Sequence, residues 1–363
     1  MVTKLMQIED KTLREGQQRS GVDFSVDQKV EVARELDKLG LDYIQIGFPI
    51  ANDGTKQVID RLDVDAKLTG TARALKRDID ACLDAGVDVI GFSIPSSDIQ
   101  REQILGVSRE ELKEMLVSNY EYCRDHGLPV QVGTMDGFRT DVEFINELID
   151  TVDADRFGIS DTVGTRNPWE VEQFLSKLEC DLSRIRVHFH CDLGLGTANA
   201  VAAAKCGVGT VDVTCGGIGE RVGNVPLEEF IVALELSEFD VEHNIATEEL
   251  IPTTKSILDT LGEESPSHKP ILGETAYEHE SGMHTAAMID TPSTFEPFDP
   301  SRFGGERRLL FGPASGRGAA RRLLQEADAK LTEEHVDEFL ATLHNLDENV
   351  VFNEAVDLAR DAF

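Results

Sequence analysis

The chain has 363 residues, and its 68 acidic against 35 basic residues give a net charge of −33. A surface of this sign repels nucleic acid and anionic lipid, because binding phosphate requires a basic patch. We therefore expect neither nucleic acid nor a membrane as a partner. The hydrophobic share of 40% is too high for a disordered acidic chain, so the charge indicates a folded, halophilic-type protein in a cytoplasm of high salt.

The cysteine pattern and the N-terminal composition bear on the compartment. The six cysteines are scattered without a CxxC pair, which is typical of reduced thiols in a cytoplasmic protein. The N-terminus carries no apolar run behind a basic start, and no apolar stretch reaches the roughly 18 residues of a membrane span. We expect a cytoplasmic protein.

Short apolar runs alternate with helical patterns from the N-terminus to about residue 240. The runs predict eight strands: Leu5–Asp10, Tyr43–Phe48, Leu68–Arg73, Val89–Ile94, Val130–Met135, Arg156–Asp161, Arg186–Cys191 and Thr210–Cys215. The patterns between them, such as Val26–Leu39 and Arg77–Ala85, predict helices that end on Gly. Eight strand–helix units, with no GxGxxG turn after the first strand, predict a closed (β/α)₈ TIM barrel rather than an open doubly wound sheet.

The alternation ends after the eighth unit. We assign residues 1–245 to a catalytic barrel and residues 246–363 to a linker and a small helical C-terminal subdomain. The helical patterns of this second part are Thr247–Leu261, Glu333–Leu343 and Asn353–Ala362. Its segment Pro292–Pro300 is rich in Pro, and Gly304–Gly318 is rich in Gly and Arg.

Active sites of such barrels lie at the C-terminal ends of the strands and in the loops that follow. Polar or ionisable residues end or follow most of the predicted strands: Arg14, Glu15, Gln45, Arg73, Asp136, Arg139, Asp161, Thr162, His188, His190 and Asp192. We expect them to converge on one rim of the barrel.

The His188-Phe189-His190 segment carries the sharpest chemical signal. Residues two apart on a strand share a face, so both imidazoles can chelate one divalent ion. Glu15, after the first strand, completes a set of two histidines and one carboxylate that Mg²⁺, Mn²⁺ or Zn²⁺ accepts. Asn224, after the eighth strand, either supplies a further oxygen ligand or caps the helix that begins near Pro226.

Several segments together resemble one known family. DKTLREGQQRSGVDFSVDQKV, HFHCDLGLGTANA and GGIGERVGNVPLEEF, with DTVG and HESGMH, are similar to the isopropylmalate/homocitrate/citramalate synthases, which are metal-dependent Claisen-condensing barrels. The resemblance covers nearly the whole chain, with the motifs in the family's order. It implies a homodimer that condenses acetyl-CoA, as co-substrate, with a small-molecule 2-oxo acid. Feedback-regulated members carry a further C-terminal domain, so we expect this chain, a short form, to lack that control.

The resemblance also implies roles at matched positions. It places the metal on the acid and the histidine pair named above, and it makes Arg14 the catalytic group that faces the substrate oxygen. Gln18 and Thr162 match residues that line the site and contact the 2-oxo acid, and Arg139 matches an arginine nearby. His284, in HESGMH, matches a catalytic histidine implicated in proton transfer and often reaching a partner subunit's barrel.

Three positions depart from the family pattern. Gln45 and Met135 stand where members usually carry Glu, and Cys191 stands where they carry Asn. Gln and Met cannot transfer a proton as Glu can. Condensation is the leading function, and two alternatives stay open: a metal-dependent aldolase or lyase using Arg14, and a catalytically silent metal-binding paralogue. Pyruvate, 2-oxoisovalerate and 2-oxoglutarate are all candidate 2-oxo acids.

Overall fold

The structure is a computed structural model, and it describes residues 5–51 and 54–363. The chain divides into two compact units. The first unit extends to Ala246 and also includes Thr253–Glu264, and the second comprises Thr247–Pro252 and Ser265–Phe363. No helix of the described residues is long and apolar enough to cross a membrane.

Within the described part of the first unit, eight parallel strands close into a barrel in sequential order, with β1 paired to β8. The strands are β1 (Gln7–Asp10), β2 (Tyr43–Gly47), β3 (Lys67–Arg73), β4 (Val89–Pro95), β5 (Val130–Met135), β6 (Arg156–Asp161), β7 (Ile185–Phe189) and β8 (Thr210–Val213). Branched apolar residues such as Ile44, Ile90 and Val187 are fully buried, as strands covered by helices require. The predicted (β/α)₈ barrel is confirmed.

A helix follows each strand. The helices are α1 (Val26–Leu39), α2 (Gly54–Ile59), α3 (Lys76–Ala85), α4 (Arg109–Asp125), α5 (Val142–Thr151), α6 (Pro168–Leu175), α7 (Gly196–Cys206) and α8 (Leu227–Glu235). Local sequence explains their ends: Ser25 and Gln28 form a capping box at the start of α1. Gly40 ends α1 in the left-handed region, at φ 97°, where a Cβ would lie 2.2 Å from the Asn244 carbonyl oxygen.

Strand register decides which polar side chains share the barrel interior. Glu9 on β1 lies opposite Asp212 on β8, and Arg186 on β7 lies two residues before His188. Because side chains alternate along a strand, Arg186 and His188 point to the same side. The inner surface of β7 therefore carries a cation deep in the barrel and an imidazole nearer the rim.

The helix α9 (Leu250–Leu261) follows the barrel in sequence. The second unit contains β9 (Glu278–His279), α10 (Gly282–Met288), β10 (Arg308–Phe311), α11 (Arg317–Glu326), α12 (Glu333–His344), β11 (Val350–Val351) and α13 (Phe352–Ala362). The three short strands pair in the order β11-β10-β9, and Phe311, Leu323 and Phe339 belong to the core of this unit.

The second unit has more structure than its sequence suggested. The helical C-terminal region is confirmed, and Gly304–Gly318, for which the sequence predicted no element, contains β10 and the start of α11. The strand β10 reads RLLF, which does not alternate between apolar and polar residues. The buried face of α11 uses Ala319 and Ala320 beside Leu323 and Leu324, between arginines.

Candidate active site

Glu15, His188 and His190 meet at the rim of the barrel. Glu15 ends the short helical turn Thr12–Glu15 after β1, and His188 lies on β7. Their nearest atoms, Glu15 Oε1 and His188 Nε2, are 3.2 Å apart. The Nε2 atoms of His188 and His190 are 3.4 Å apart. One ligand atom from each residue lies within 4.8 Å of the others, so the three can hold one metal ion.

The two histidines share a face although β7 ends between them. The strand stops at Phe189, and His190 forms an isolated antiparallel bridge with Asn224. Phe189 points the other way, where its ring stacks on Phe138 with 5.2 Å between centroids. The alternation predicted for the segment therefore continues through His190.

Unsatisfied atoms show that this cluster fits a cation. Glu15 is 1% exposed, and its Oε2 atom has no hydrogen-bond partner. The Nε2 atoms of His188 and His190 face each other. Two neutral imidazoles can form a hydrogen bond there only if one of these two nitrogens carries a proton and the other does not. Burial, followed by the charge of a protonated His188, lowers the pKa of His190 to about 3. Burial lowers the pKa of His188, but its hydrogen bonds to Asp212 and Glu15 outweigh burial and raise it. A buried carboxylate and two imidazoles are donors that a divalent ion binds, and an ion at this point would take the place of the His188 Nε2 proton.

The positive charge of Arg14 favours the ionised form of Glu15. Burial raises the pKa of Glu15, but the Arg14 guanidinium and His188 outweigh it and hold this pKa well below its usual range. Arg14 pairs directly with the Glu15 carboxylate. Glu15 is therefore ionised, as a metal ligand must be.

Asp212 orients His188, and sequence reasoning missed it. Its Oδ2 atom lies 3.1 Å from His188 Nδ1, which leaves Nε2 directed at the cluster. Burial raises the pKa of Asp212, but the charges of Arg186 and Lys11 outweigh it and bring it to about 2. A carboxylate behind a ligating imidazole fixes the tautomer that binds a metal. The available signal was an acidic residue at an inward position of the strand next to the His-x-His strand.

Asn224 contacts both histidines through its amide nitrogen. Nδ2 lies 3.2 Å from His188 Nε2 and 3.4 Å from His190 Nδ1, and it donates to the Phe189 carbonyl. Oδ1 points at Gly219 instead. A ligand role would require the amide to turn by 180°. The capping alternative is wrong, since no side chain caps α8 at Pro226.

A cavity of about 270 Å³ opens beside the cluster, and Arg14 and Gln18 line it. Arg14 donates from Nε to Gln45 Oε1 over 2.7 Å and from Nη1 to Gln18 Oε1 over 3.1 Å. Thr162 also lines the cavity, and its Oγ1 accepts from the Asp136 backbone over 2.8 Å. Met135 belongs to the lining as well. Arg14, Gln18 and Thr162, three residues predicted to face the substrate, therefore line one cavity.

Two predicted residues are placed elsewhere. The Arg139 guanidinium forms two bonds to the buried Asp136 carboxylate, of 2.7 and 2.6 Å, and Arg139 is outside the cavity lining. His284 lies in the second unit, on α10, where its ring stacks on Phe295 with 3.8 Å between centroids. The predicted role of His284 in proton transfer stays a prediction.

A second charged cluster, which we call the inner quartet, consists of Glu9, Lys11, Arg186 and Asp212 and lies deeper in the barrel. Glu9 pairs with Lys11, and its Oε2 lies 3.2 Å from Arg186 Nη1. Asp212 lies 3.7 Å from Lys11 and 3.8 Å from Arg186. Gln131 accepts a 2.6 Å bond from Arg186. All four charged side chains are at most 10% exposed, so these charges stabilise one another in place of water.

The fold and the site define a (β/α)₈-barrel enzyme with a two-histidine, one-carboxylate cluster at the C-terminal ends of its strands. The chain belongs to the HMGL-like family, whose model matches residues 5–257. A second family model, described as homocitrate synthase post-HMGL domain-like, matches residues 271–350.

Similar proteins carry three kinds of name. A probable 2-isopropylmalate synthase of Methanopyrus kandleri is 38% identical over 94% of this chain and 70% of its own length. The 2-isopropylmalate synthase of Sulfurisphaera tokodaii is 37% identical over 96% and 92%. The homocitrate synthase AksA of Methanopyrus kandleri is 37% identical over 93% and 86%, and a putative (R)-citramalate synthase of the same organism is 37% identical over 94% and 69%.

Solved structures share the barrel. The HMG-CoA lyase of Bacillus subtilis superposes with a TM-score of 0.65 at 22% identity, covering 75% of this chain and 98% of that chain. The HMG-CoA lyase of Pseudomonas aeruginosa gives a TM-score of 0.63 at 20% identity, covering 72% and 94%. At these identities the likeness concerns the fold.

Proposed function

We propose that this protein is an acyltransferase that condenses acetyl-CoA with a 2-oxo acid and releases CoA, using a divalent metal. One observation carries the proposal: Glu15 Oε2 has no partner in a buried cluster that also holds two facing imidazole nitrogens. The names of the similar synthases support the same reaction.

Glu15, His188 and His190 would hold the metal. A bound divalent cation would supply Lewis acidity at the ketone of a chelated 2-oxo acid. Asp212 keeps the His188 ring in the orientation that offers Nε2.

Arg14 would stabilise the negative charge that develops on the ketone oxygen. Its guanidinium is fixed by Gln45 and Gln18, so little reorganisation is needed when the charge appears. Thr162 and Gln18 line the same cavity and would orient the acid by hydrogen bonds.

The proton on the acetyl methyl group needs a base. Gln45 and Met135 line the cavity but cannot accept that proton as a carboxylate would. We assign the role to His284, because it matches a histidine implicated in proton transfer in the similar family.

The experiment measures thiol release from acetyl-CoA with a panel of 2-oxo acids and added Mg²⁺, Mn²⁺ or Zn²⁺. We expect release that requires both substrates and stops with a chelator. Cleavage of a 3-hydroxy acid or its thioester, without condensation, would support the aldolase or lyase alternative. Binding of metal and 2-oxo acid without thiol release from any combination would contradict the condensing function.

A catalytically silent paralogue is the second candidate, and Gln45 and Met135 favour it. The double variant Gln45→Glu/Met135→Glu separates the two. If wild type is silent because it lacks these carboxylates, the double variant should release thiol where wild type does not. If wild type already turns over, the double variant should bring no comparable appearance of activity.

A further inference from the structure

We propose that the cavity selects a 2-oxo acid with a single carboxylate and an uncharged side chain, and rejects dicarboxylic 2-oxo acids. This rests on the proposed function, because it concerns the substrate of the same site. The observation behind it is the pairing of charges around the cavity. Among the described residues that line it, no lysine or arginine lacks a carboxylate partner.

The deep end of the cavity holds two cations that are already matched. Lys11 pairs with Glu9 and lies 3.7 Å from Asp212. Arg186 lies 3.2 Å from Glu9 and donates to Gln131 over 2.6 Å. A substrate carboxylate placed here would meet two cations and two carboxylates, all buried, and would add an unmatched negative charge. Burial of an unpaired charge is strongly unfavourable.

Arg73, at the side of the cavity, also has a carboxylate partner. Arg73 donates to both oxygens of Asp78, over 2.6 and 3.0 Å, and Asp78 is fully buried. The guanidinium also lies 5.7 Å from the centroid of the Phe48 ring. These bonds hold the Nε and Nη2 donors of Arg73 on Asp78, which also lies 3.5 Å from Arg77, so a substrate carboxylate would have to compete with Asp78 for Arg73.

Arg14 is the exception, and it is needed at the reacting end. Its partner Glu15 belongs to the proposed metal ligands, so a divalent ion on that carboxylate would compensate its negative charge and leave the Arg14 charge to attract the 2-oxo group. Gln45 fixes Arg14 without adding a negative charge. The site therefore offers one cationic position, for one end of the acid.

The remaining lining matches an uncharged side chain. Phe48, Ala72 and Met135 present hydrocarbon, and Ser93 presents a small hydroxyl. Glu220 adds a carboxylate to the same lining. A hydrocarbon side chain enters such a space at little cost in free energy. A carboxylate would lose its hydration there without gaining a cation as partner.

The test compares 2-oxoisovalerate and pyruvate with 2-oxoglutarate on Mn²⁺-loaded protein at high salt. We expect kcat/KM for the better monocarboxylic acid to exceed that for 2-oxoglutarate by about 100-fold. A ratio below tenfold, or a preference for 2-oxoglutarate, would overturn the inference and leave the condensing function standing. If no acid supports thiol release, the proposed function fails. The same tenfold threshold then applies to the dissociation constants measured by calorimetry.

A switch variant tests the charge argument itself. Asp78→Asn removes the partner of Arg73 and should raise the ratio of 2-oxoglutarate to 2-oxoisovalerate kcat/KM by about tenfold. Asp84→Asn, an exposed acidic residue on the same helix α3, is the matched control and should leave the ratio unchanged. An equal ratio in both folded variants would contradict a role for Arg73 pairing. Should Asp78→Asn not fold, the wild-type comparison decides alone.

Discussion

Two charged clusters share the interior of the barrel, and they differ in how their charges are satisfied. The rim cluster of Glu15, His188 and His190 has a carboxylate oxygen without a partner and two imidazole nitrogens 3.4 Å apart. In the inner quartet, each carboxylate lies within 4 Å of both cations, although Asp212 Oδ1 and Arg186 Nε also lack a hydrogen-bond partner. Only the rim cluster, among the described residues, brings carboxylate and imidazole ligand atoms within 4.8 Å of one another, as a metal site requires. Paired charges of opposite sign indicate a structural role for the inner quartet. Asp212 connects the two clusters, because it belongs to the quartet and contacts His188.

The largest effect is expected from removing a rim imidazole. His190→Ala, like His188→Ala, leaves two ligands, which do not hold a divalent ion firmly, so the purified protein should contain almost no metal and turnover should be abolished. Metal analysis after dialysis measures this directly. His126→Ala, an exposed histidine on the barrel, is the control and should keep full occupancy. Full occupancy in His190→Ala would remove that residue from the ligand set.

A change in the inner quartet should act on stability instead. Glu9→Gln leaves Lys11 and Arg186 with one carboxylate in place of two, so we expect the free energy of unfolding to fall by about 3–5 kcal/mol. The metal content of the folded protein should stay at the wild-type level. Urea unfolding and metal analysis provide the two readings. Asp153→Asn, which breaks an exposed pair with Arg184, should cost less than about 1 kcal/mol.

Asp212→Asn tests the connection between the clusters. The amide cannot hold the His188 Nδ1 proton as the carboxylate does, so metal affinity should fall by about 10–100-fold while the protein stays folded. Calorimetric titration with Mn²⁺ or Zn²⁺ measures the affinity. Glu9→Gln is the matched comparison, because it removes the same charge from the same cluster without touching an imidazole. Equal affinities in the two variants would show that Asp212 does not orient His188.

A carboxyl that belongs to neither cluster should make stability depend on pH. Asp10 is fully buried and accepts two 2.8 Å bonds from Thr12, and burial raises its pKa to about 7. Its unfolded pKa is about 3.9, so between these values the folded chain holds a proton that the unfolded chain has lost. Stability therefore falls as pH rises through this window.

From pH 5 to pH 8, wild type should lose about 2–3 kcal/mol more stability than Asp10→Asn, which cannot ionise. Urea unfolding at both pH values and constant high salt measures the difference, and the comparison cancels the repulsion of the acidic surface. Parallel losses in the two proteins would mean that Asp10 is ionised in the folded state.

The parts of the site that were predictable depend on local geometry. The two-residue spacing of His188 and His190 fixes their common face, and the sequential strand order of a barrel brings β1 beside β8 and Glu15 within reach. Both arguments need only the chain order and the period of a strand.

The rest depends on register between strands. Glu9 and Arg186 are 177 residues apart in sequence, and nothing local shows that they meet. A charged residue inside an apolar run looks like a break in the strand pattern until its partner on a neighbouring strand is known. Asn224 illustrates the same difficulty at short range, because its position fitted both a ligand and a cap, and its amide nitrogen turned out to face the imidazoles.

The most direct test of the account is the binding of 2-oxoisovalerate or pyruvate to the same protein with and without metal. We expect binding to Mn²⁺-loaded protein, loss of that binding after chelation, and its return when Mn²⁺ is restored. In His190→Ala, added Mn²⁺ should restore nothing. Equal binding to the loaded and the chelated protein would contradict the claim that the rim cluster holds the metal that binds the acid.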